Sequence, residues 1–211
     1  ANSVKSRKLN LTRKQLWQAL AEHGPRPQKW SEIDPALPNS KITVLVPPPT
    51  SGTRDAWNSL VMKKGCPDAV MKKDKKACEM LREDGAAVEA GENDTLIVQK
   101  LEANPAAFGI FGFSYLENNR DKIQAATIEG VEISLDSIQD YSYPVARPLF
   151  FYVKKAHIGV IPGLQEYLAE FTSDNAIGEE GYLIDTGLVP LEAGKLSQLK
   201  ADAKNLVSMQ K

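Results

Sequence analysis

The stretch that decides the fold reads Ile42-Thr43-Val44-Leu45-Val46-Pro47-Pro48-Pro49-Thr50-Ser51-Gly52-Thr53-Arg54-Asp55-Ala56-Trp57. Its apolar opening is typical of a short buried strand, and the three prolines end that strand because proline has no N–H to donate. Apolar side chains then recur at helical spacing over residues 56–61, so we predict a helix that begins at or just after Ser51 and ends at Gly65. A strand followed directly by a helix favours an α/β fold.

The rest of the chain continues this alternation of strands and helices. Thr12 and Gln15 form a capping box at the start of a helix, and Asn104-Pro105 ends another. The predicted helices cover residues 12–22, 94–103, a segment that opens at Pro162, and 192–207; the predicted strands cover 107–115, 125–131 and 149–153.

Composition excludes several classes of protein. The chain has 211 residues, of which 42% are hydrophobic and 25% charged, which is ordinary for a globular protein. Its 26 basic and 27 acidic residues leave a net charge of −1, which gives no indication of a nucleic-acid partner. No apolar run approaches the ~20 residues of a membrane span, and we expect any export signal to lie outside this sequence.

The turn Ser51-Gly52-Thr53 is the candidate functional site. The first N–H groups of a helix lack partners within the helix, and the helix dipole places about half a positive charge there. Gly52 lets the backbone approach a ligand closely, the two hydroxyls add donors, and Arg54 adds a permanent charge suited to tetrahedral oxyanions. The sequence therefore predicts an anion site. The same residues also fit a helix cap without a ligand, with Arg54 solvated or paired to Asp55.

Cysteine and histidine are scarce, with two of each in the sequence. Neither type has the spacing of a metal site, so we predict no metal, no cofactor and no catalytic residues. Cys66 and Cys78 flank a lysine-rich stretch, where a disulfide would close a loop of about 13 residues and would imply an oxidising compartment. Two unrelated thiols in a cytosolic protein are the alternative.

Four blocks of sequence resemble one family in family order. Residues 50–57 resemble the phosphate signature of PstS-type proteins, the periplasmic phosphate-binding components of ABC transporters. Residues 11–17 with Lys29-Trp30, residues 104–112 and residues 143–153 are similar to further segments of that family.

The resemblance implies a two-lobed α/β fold of periplasmic-binding-protein type II, with inorganic phosphate enclosed between the lobes. It implies that Ser51, Gly52, Thr53 and Arg54 bind phosphate, that the permease subunits of an ABC importer are partners, and that the protein is periplasmic. It implies no enzymatic activity.

Two departures from the family pattern change these expectations. Pro47 stands where some members carry an arginine, which leaves Arg54 as the cationic contact. The segment with which the family's first lobe begins has no counterpart in this sequence, so we expect the chain to begin near the first crossing between the lobes. Residues 1–143 would then form a nearly complete lobe with the anion loop, and residues 144–211 the crossover strand and the returning C-terminal part of the other lobe. Uncovered residues such as Phe150 would favour self-association.

The absence of a counterpart to that first-lobe segment also affects the expected selectivity between phosphate and sulfate. Phosphate near neutral pH carries a proton, so a carboxylate acceptor favours it over sulfate. The family takes this acceptor from the missing part, and Asp55 is a substitute candidate. We therefore expect weak binding of phosphate with poor discrimination against sulfate.

Three other functions stay open at this point. The anion site would also serve a binding protein for sulfate, molybdate or a carboxylate. A phosphate-handling hydrolase is less favoured, because the sequence has no nucleophile elbow and His23 and His157 are distant from each other in sequence. Lysines at 63–64 and 72–76 would serve an interaction module for an acidic partner, although such runs are usually solvated.

Overall fold

The structure, a computed structural model, describes residues 1–91 and 93–209. It divides the chain into two units. The first unit comprises Ala1–Ser134 and Ser142–Ala146, and the second comprises Leu135–Tyr141 and the chain from Arg147 onward. The correspondence of residues 1–143 and 144–211 to two lobes stays a prediction.

A five-stranded sheet forms the centre of the first unit, in the order β4-β3-β5-β1-β6. β3 pairs in parallel with β4 on one side and β5 on the other, whereas β1 runs antiparallel to both of its neighbours. The strands are β1 Asn2–Ser3, β3 Val44–Val46, β4 Ala87–Glu89, β5 Phe108–Gly109 and β6 Ile123–Gln124.

The position of β3 in the sheet explains why the loop that follows it is a candidate ligand-binding site. All three residues of β3 are buried, as expected for a parallel strand covered on both faces. The chain leaves β3 toward β4 on one side and later returns as β5 on the other side. Such a reversal of strand order opens a crevice at the carboxyl ends of the strands, which is where α/β proteins bind ligands.

Helices connect these strands within the first unit. The Thr12–Gln15 capping box is present: the Thr12 side chain accepts from the Gln15 N–H, and Gln15 Oε1 accepts from the Thr12 N–H. The helices are α1 Arg13–Leu20, α2 Gly52–Trp57, α3 Lys63–Gly65, α4 Asp68–Lys73, α5 Asp94–Ala103 and α6 Phe113–Glu117, with 3-10 turns at Trp30–Glu32 and Lys76–Cys78. A second, two-stranded parallel sheet joins β2 Asn10–Leu11 to β7 Thr127–Ile128.

The core of the first unit lies on both faces of its central sheet. One cluster surrounds the fully buried Trp30, whose ring meets Phe108 edge-on at 5.3 Å between centroids. A second cluster packs α5 against the sheet through Ile97 and Leu101, both of which are buried. The prediction of an α/β fold is confirmed.

The second unit is helical in the part that the structure describes. Its helices are α7 Leu135–Gln139, α8 Leu164–Phe171, α9 Asp174–Ile177 and α10 Ala193–Lys204, with a 3-10 turn at Lys155–His157. A small core joins Ala176, Ile177 and Leu196. Across residues 1–91 and 93–209, no helix has the length and apolar character needed to cross a membrane.

Two strand predictions are wrong. Residues 113–115 belong to helix α6 instead of continuing β5: the strand ends at Gly109, and Gly112 is the N-cap of α6. Residues 149–153 are irregular, and the described residues of the second unit contain no strand. An apolar run becomes a strand only when a neighbouring strand accepts its backbone hydrogen bonds, so composition alone misassigned this segment.

Candidate functional site

The candidate site begins at the loop that joins β3 to α2. The chain leaves the sheet at Val46, crosses the three prolines and enters the helix at Gly52. The Ser51 N–H donates to the Pro48 carbonyl at 3.0 Å, which closes a turn. The proline-rich loop is therefore fixed at both ends, and the start of α2 is held at the carboxyl edge of β3.

Ser51 is the N-cap of α2, in extended backbone geometry. Its Oγ accepts a hydrogen bond from the Thr53 N–H at 3.2 Å, and its carbonyl accepts from the Asp55 N–H at 3.1 Å. The helix cap and the anion site proposed from the sequence thus share the same serine. The hydroxyl hydrogen of Ser51 can still point outward, because Oγ only accepts in the cap.

Helix α2 does not stop after six residues. It passes without a break into a π-helical turn, Asn58–Met62, and then into α3, which ends at Gly65. This run of 14 residues (52–65) matches the predicted start and end, and π-turns occur often at functional sites. A helix of this length presents a full dipole to a ligand at its N-terminus.

The far end of this helical run is anchored in two ways. A Cβ on Gly65 would lie 2.1 Å from the Arg13 carbonyl oxygen, so α3 packs backbone to backbone against α1. The next residue, Cys66, forms a disulfide with Cys78. The predicted pairing is therefore confirmed, and it fixes the helix at the end opposite the candidate site.

Arg54 lies at the carboxyl edge of β3 rather than in solvent. Its side chain is only 11% exposed, and Nη1 donates to the Pro47 carbonyl at 2.9 Å. Its Nε is buried and has no hydrogen-bond partner among the described residues. Burial lowers the pKa of the Arg54 guanidinium and the nearby Glu89 carboxylate raises it, but arginine stays charged at neutral pH. The site thus contains a buried cation with unused donor capacity.

Glu89 is the carboxylate that the structure brings to Arg54. Its Oε1 lies 3.9 Å from Arg54 Nη1, and its side chain is 59% exposed. Glu89 ends β4 in register with Val46, the residue before Pro47. Sequence reasoning missed Glu89, because its position depends on the pairing of β3 with β4, and 35 residues separate it from Arg54.

The structure corrects the expected partner of Arg54. Asp55 is exposed, and among the described residues the ion pair of Arg54 is with Glu89. The interpretation of Arg54 as a solvated surface residue is also wrong, given the burial of its side chain.

A second helix begins near the same edge of the sheet. Asn93 caps α5: its side chain accepts a hydrogen bond from the Leu96 N–H at 3.3 Å. Burial raises the pKa of Asp94, whereas a hydrogen bond from the Gly112 N–H lowers it. Burial is the larger of these two effects, so the pKa of Asp94 lies above its ordinary value. No group of three or more His, Cys, Asp or Glu side chains that could hold a metal ion is present in the described part of the chain.

Comparison with known proteins identifies the family. A model of the PBP superfamily domain matches residues 2–175. The chain belongs to the PBP superfamily. Among curated relatives of this PBP chain, the phosphate-binding protein PstS of Staphylococcus saprophyticus is 26% identical over 186 residues, which are 86% of this chain and 50% of the relative. The chain spans about half the length of the curated PstS relatives that it matches.

Solved structures share the PBP fold. A protein of Planctomyces limnophilus superposes with a TM-score of 0.69 at 22% identity, covering 93% of this chain and 64% of that one. A protein of Clostridium perfringens, solved with bound phosphate, superposes with a TM-score of 0.61 at 20% identity, covering 90% and 65%. The predicted periplasmic-binding-protein type II fold is thereby confirmed.

Proposed function

We propose that this PBP-superfamily chain is the solute-binding component of an ABC importer and captures inorganic phosphate at Ser51, Gly52, Thr53 and Arg54. The observation that carries the proposal is the buried guanidinium of Arg54, which has an unpartnered Nε beside the N-terminus of a 14-residue helical run. Buried donors normally have partners, so an unpaired one at this edge of the sheet indicates a ligand. The names of the PstS relatives point to the same anion.

Each residue has a distinct part in this capture. Arg54 supplies charge and a planar fork of donors, while Pro47 holds one of its nitrogens in place. Ser51 orients the first turn through its cap and keeps a hydroxyl hydrogen for the ligand. Gly52 is exposed and has no side chain, so an oxyanion can approach the backbone, and the Thr53 hydroxyl lies one residue further along. These donors hold the anion without any bond being made or broken.

The cellular setting follows from the same proposal. A disulfide persists in oxidising compartments, which supports a periplasmic protein. Its partners are the permease subunits of the importer, and it is not an enzyme. The lysines at 72–76 are all exposed, as expected for a solvated surface.

Phosphate binding by purified chain tests the proposal directly. We expect calorimetric titration to show binding to the wild type, and Arg54→Gln to weaken it about 10- to 100-fold, because a charged hydrogen bond is worth about 1.5–3 kcal/mol. Arg120→Gln is the matched control: Arg120 pairs with Glu117 on the surface, and its loss should leave binding unchanged. Absence of phosphate binding to the folded wild type would contradict the proposal, and tighter binding of sulfate or molybdate would assign the site to another oxyanion.

A further inference from the structure

A cluster of lysines lies on the surface of the segment that runs from α3 through α4 to the following 3-10 turn. Residues 63–79 contain six lysines and three acidic residues, whereas the whole chain has a net charge of −1. Lys63 forms an ion pair with Glu79, with 3.0 Å between Nζ and Oε1. The other lysines are exposed and form no ion pair among the described residues; we call them the lysine surface: Lys64, Lys72, Lys73, Lys75 and Lys76.

The two exposed acidic residues of this segment have local roles in the backbone structure. Asp68 lies in the first turn of α4, where a carboxylate faces the positive end of the helix dipole. Asp74 Oδ1 accepts from the Lys76 N–H at 2.8 Å, in the turn that follows α4. Neither carboxylate forms an ion pair with a lysine in the described part of the chain. The positive charge of the lysine surface therefore faces solvent without close compensation.

The segment that carries the lysine surface is attached to the core at both of its ends. Cys66 and Cys78 are buried and joined by the disulfide. The Trp17 Nε1–H donates to the Cys78 carbonyl at 3.2 Å, which ties the same end to α1. A surface that is already held in place loses less conformational entropy when a partner binds.

The composition of the lysine surface indicates the chemistry of its partner. Protein–protein interfaces are enriched in arginine and aromatic residues and depleted in lysine, but residues 63–79 contain no arginine and no aromatic residue. Lysine is a compact point charge that is attracted to an anionic surface without the fixed geometry of an arginine fork. Clusters of about four to eight basic residues bind anionic bilayers, and each lysine near the headgroups strengthens binding about fivefold. These properties favour a lipid surface over a protein partner.

We propose that the lysine surface binds the anionic headgroups of a lipid bilayer and retains the protein at a membrane. It lies beyond the end of the helical run over residues 52–65, opposite the candidate anion site. A helical run of 14 residues is about 20 Å long. A solute can therefore reach Ser51 and Arg54 while the lysine surface is in contact with lipid. This inference does not depend on the identity of that solute.

Co-sedimentation with vesicles tests the inference on the full chain. The vesicles consist of phosphatidylglycerol and phosphatidylcholine in equal parts, or of phosphatidylcholine alone. We expect binding to the anionic vesicles only, at about 0.1 M salt, and its loss at about 1 M salt, where the Debye length falls from about 10 Å to about 3 Å. A Lys72→Gln, Lys76→Gln double variant should bind about 10- to 30-fold more weakly. A Lys100→Gln, Lys122→Gln double variant is the matched control: both lysines are exposed outside the lysine surface, and it should bind like the wild type.

Four results would overturn the inference. A folded wild type that does not bind the anionic vesicles would contradict it directly. A folded Lys72→Gln, Lys76→Gln variant that binds as tightly as the wild type would show that the lysine surface does not contact lipid. Binding to both kinds of vesicle that survives high salt and is lost in Phe150→Ser would assign the contact to that exposed apolar residue. Tighter binding to poly-glutamate than to anionic vesicles of equal charge concentration would assign the lysine surface to an acidic protein.

Discussion

Arg82 shows how one residue can hold several distant segments together. Its side chain is 1% exposed, and its nitrogens bond to Asp84 and to the carbonyls of Ala19, Arg26 and Pro27. These partners belong to α1, to the loop that follows it and to the approach to β4. Because every N–H group of the buried Arg82 guanidinium has an acceptor, its charge is compensated in the folded state. Removing this side chain should therefore lower the free energy of unfolding substantially.

Replacing Arg82 by methionine removes this network and leaves buried carbonyls without partners. We expect the free energy of unfolding of the first unit to fall by about 2–4 kcal/mol. All three tryptophans lie in the first unit, so urea unfolding followed by tryptophan fluorescence measures this change. The exposed pair of Arg120 with Glu117 provides the control, and Arg120→Gln should cost at most about 1 kcal/mol. Equal losses in the two variants would contradict the prediction.

The same ion pair predicts a dependence on pH. The Arg82 hydrogen bond lowers the pKa of Asp84 below its ordinary value. A carboxyl group with a lowered folded-state pKa stabilises the fold above its unfolded pKa of about 3.9 and loses that contribution as pH falls through the folded value. We therefore expect the stability difference between wild type and Arg82→Met to be constant from about pH 5 to 7 and to shrink below about pH 4. A difference that stays constant to pH 2 would show that Asp84 is not linked to folding.

At the scale of elements, the helical run over residues 52–65 connects the candidate site to the core. The sequence predicted both of its ends, because a strand stopped by prolines, a serine cap and a terminal glycine are local signals. The π-helical turn Asn58–Met62 within it has no such signal, since it depends on packing. Glu89 was missed for the same reason: its contact with Arg54 arises from strand pairing, which no local pattern specifies.

Gly65→Ala tests the anchoring of this helical run on α1. The added methyl group would lie 2.1 Å from the Arg13 carbonyl oxygen, so either α3 or α1 must move. We expect a loss of about 2–3 kcal/mol in unfolding free energy, measured by urea titration. Gly112→Ala is the control, because a Cβ there meets nothing closer than 3.9 Å, and it should cost about 1 kcal/mol or less. If both variants lose a similar amount of unfolding free energy, residue 65 does not approach the Arg13 carbonyl this closely in solution.

The Cys66–Cys78 disulfide belongs to the same scale, because it closes the segment that contains α4 and the exposed lysines. A loop of about 13 residues predicts a stabilisation of about 3 kcal/mol. Reduction should therefore lower the melting temperature of the wild type in a thermal scan. A Cys66→Ser, Cys78→Ser double variant should melt at the reduced value with or without reductant, and a wild type that is insensitive to reductant would contradict the prediction.

At the scale of the whole molecule, the two units differ in how well they cover their apolar residues. The first unit has a sheet with buried residues on both faces, whereas the small core of the second unit contains three buried hydrophobic residues within its described part. Phe151 stacks near Tyr167 and Phe171, but Leu149, Phe150 and Tyr152 are each more than 65% exposed. The sequence identified this segment as apolar, but only the structure shows that the described residues of the second unit include no strand that could pair with it.

This exposed segment predicts self-association of the chain. Contiguous exposed apolar side chains favour burial against another molecule, so we expect the weight-average mass from sedimentation to rise with protein concentration. Phe150→Ser should reduce this rise without lowering the melting temperature, because Phe150 is 69% exposed and contributes little to the fold. Leu135→Ser, at a residue that is 55% exposed but outside the segment, is the matched control and should associate like the wild type. A wild type that stays monomeric at high concentration would contradict the prediction. If Phe150→Ser and Leu135→Ser reduce the association equally, the exposed segment is not the surface through which the chains associate.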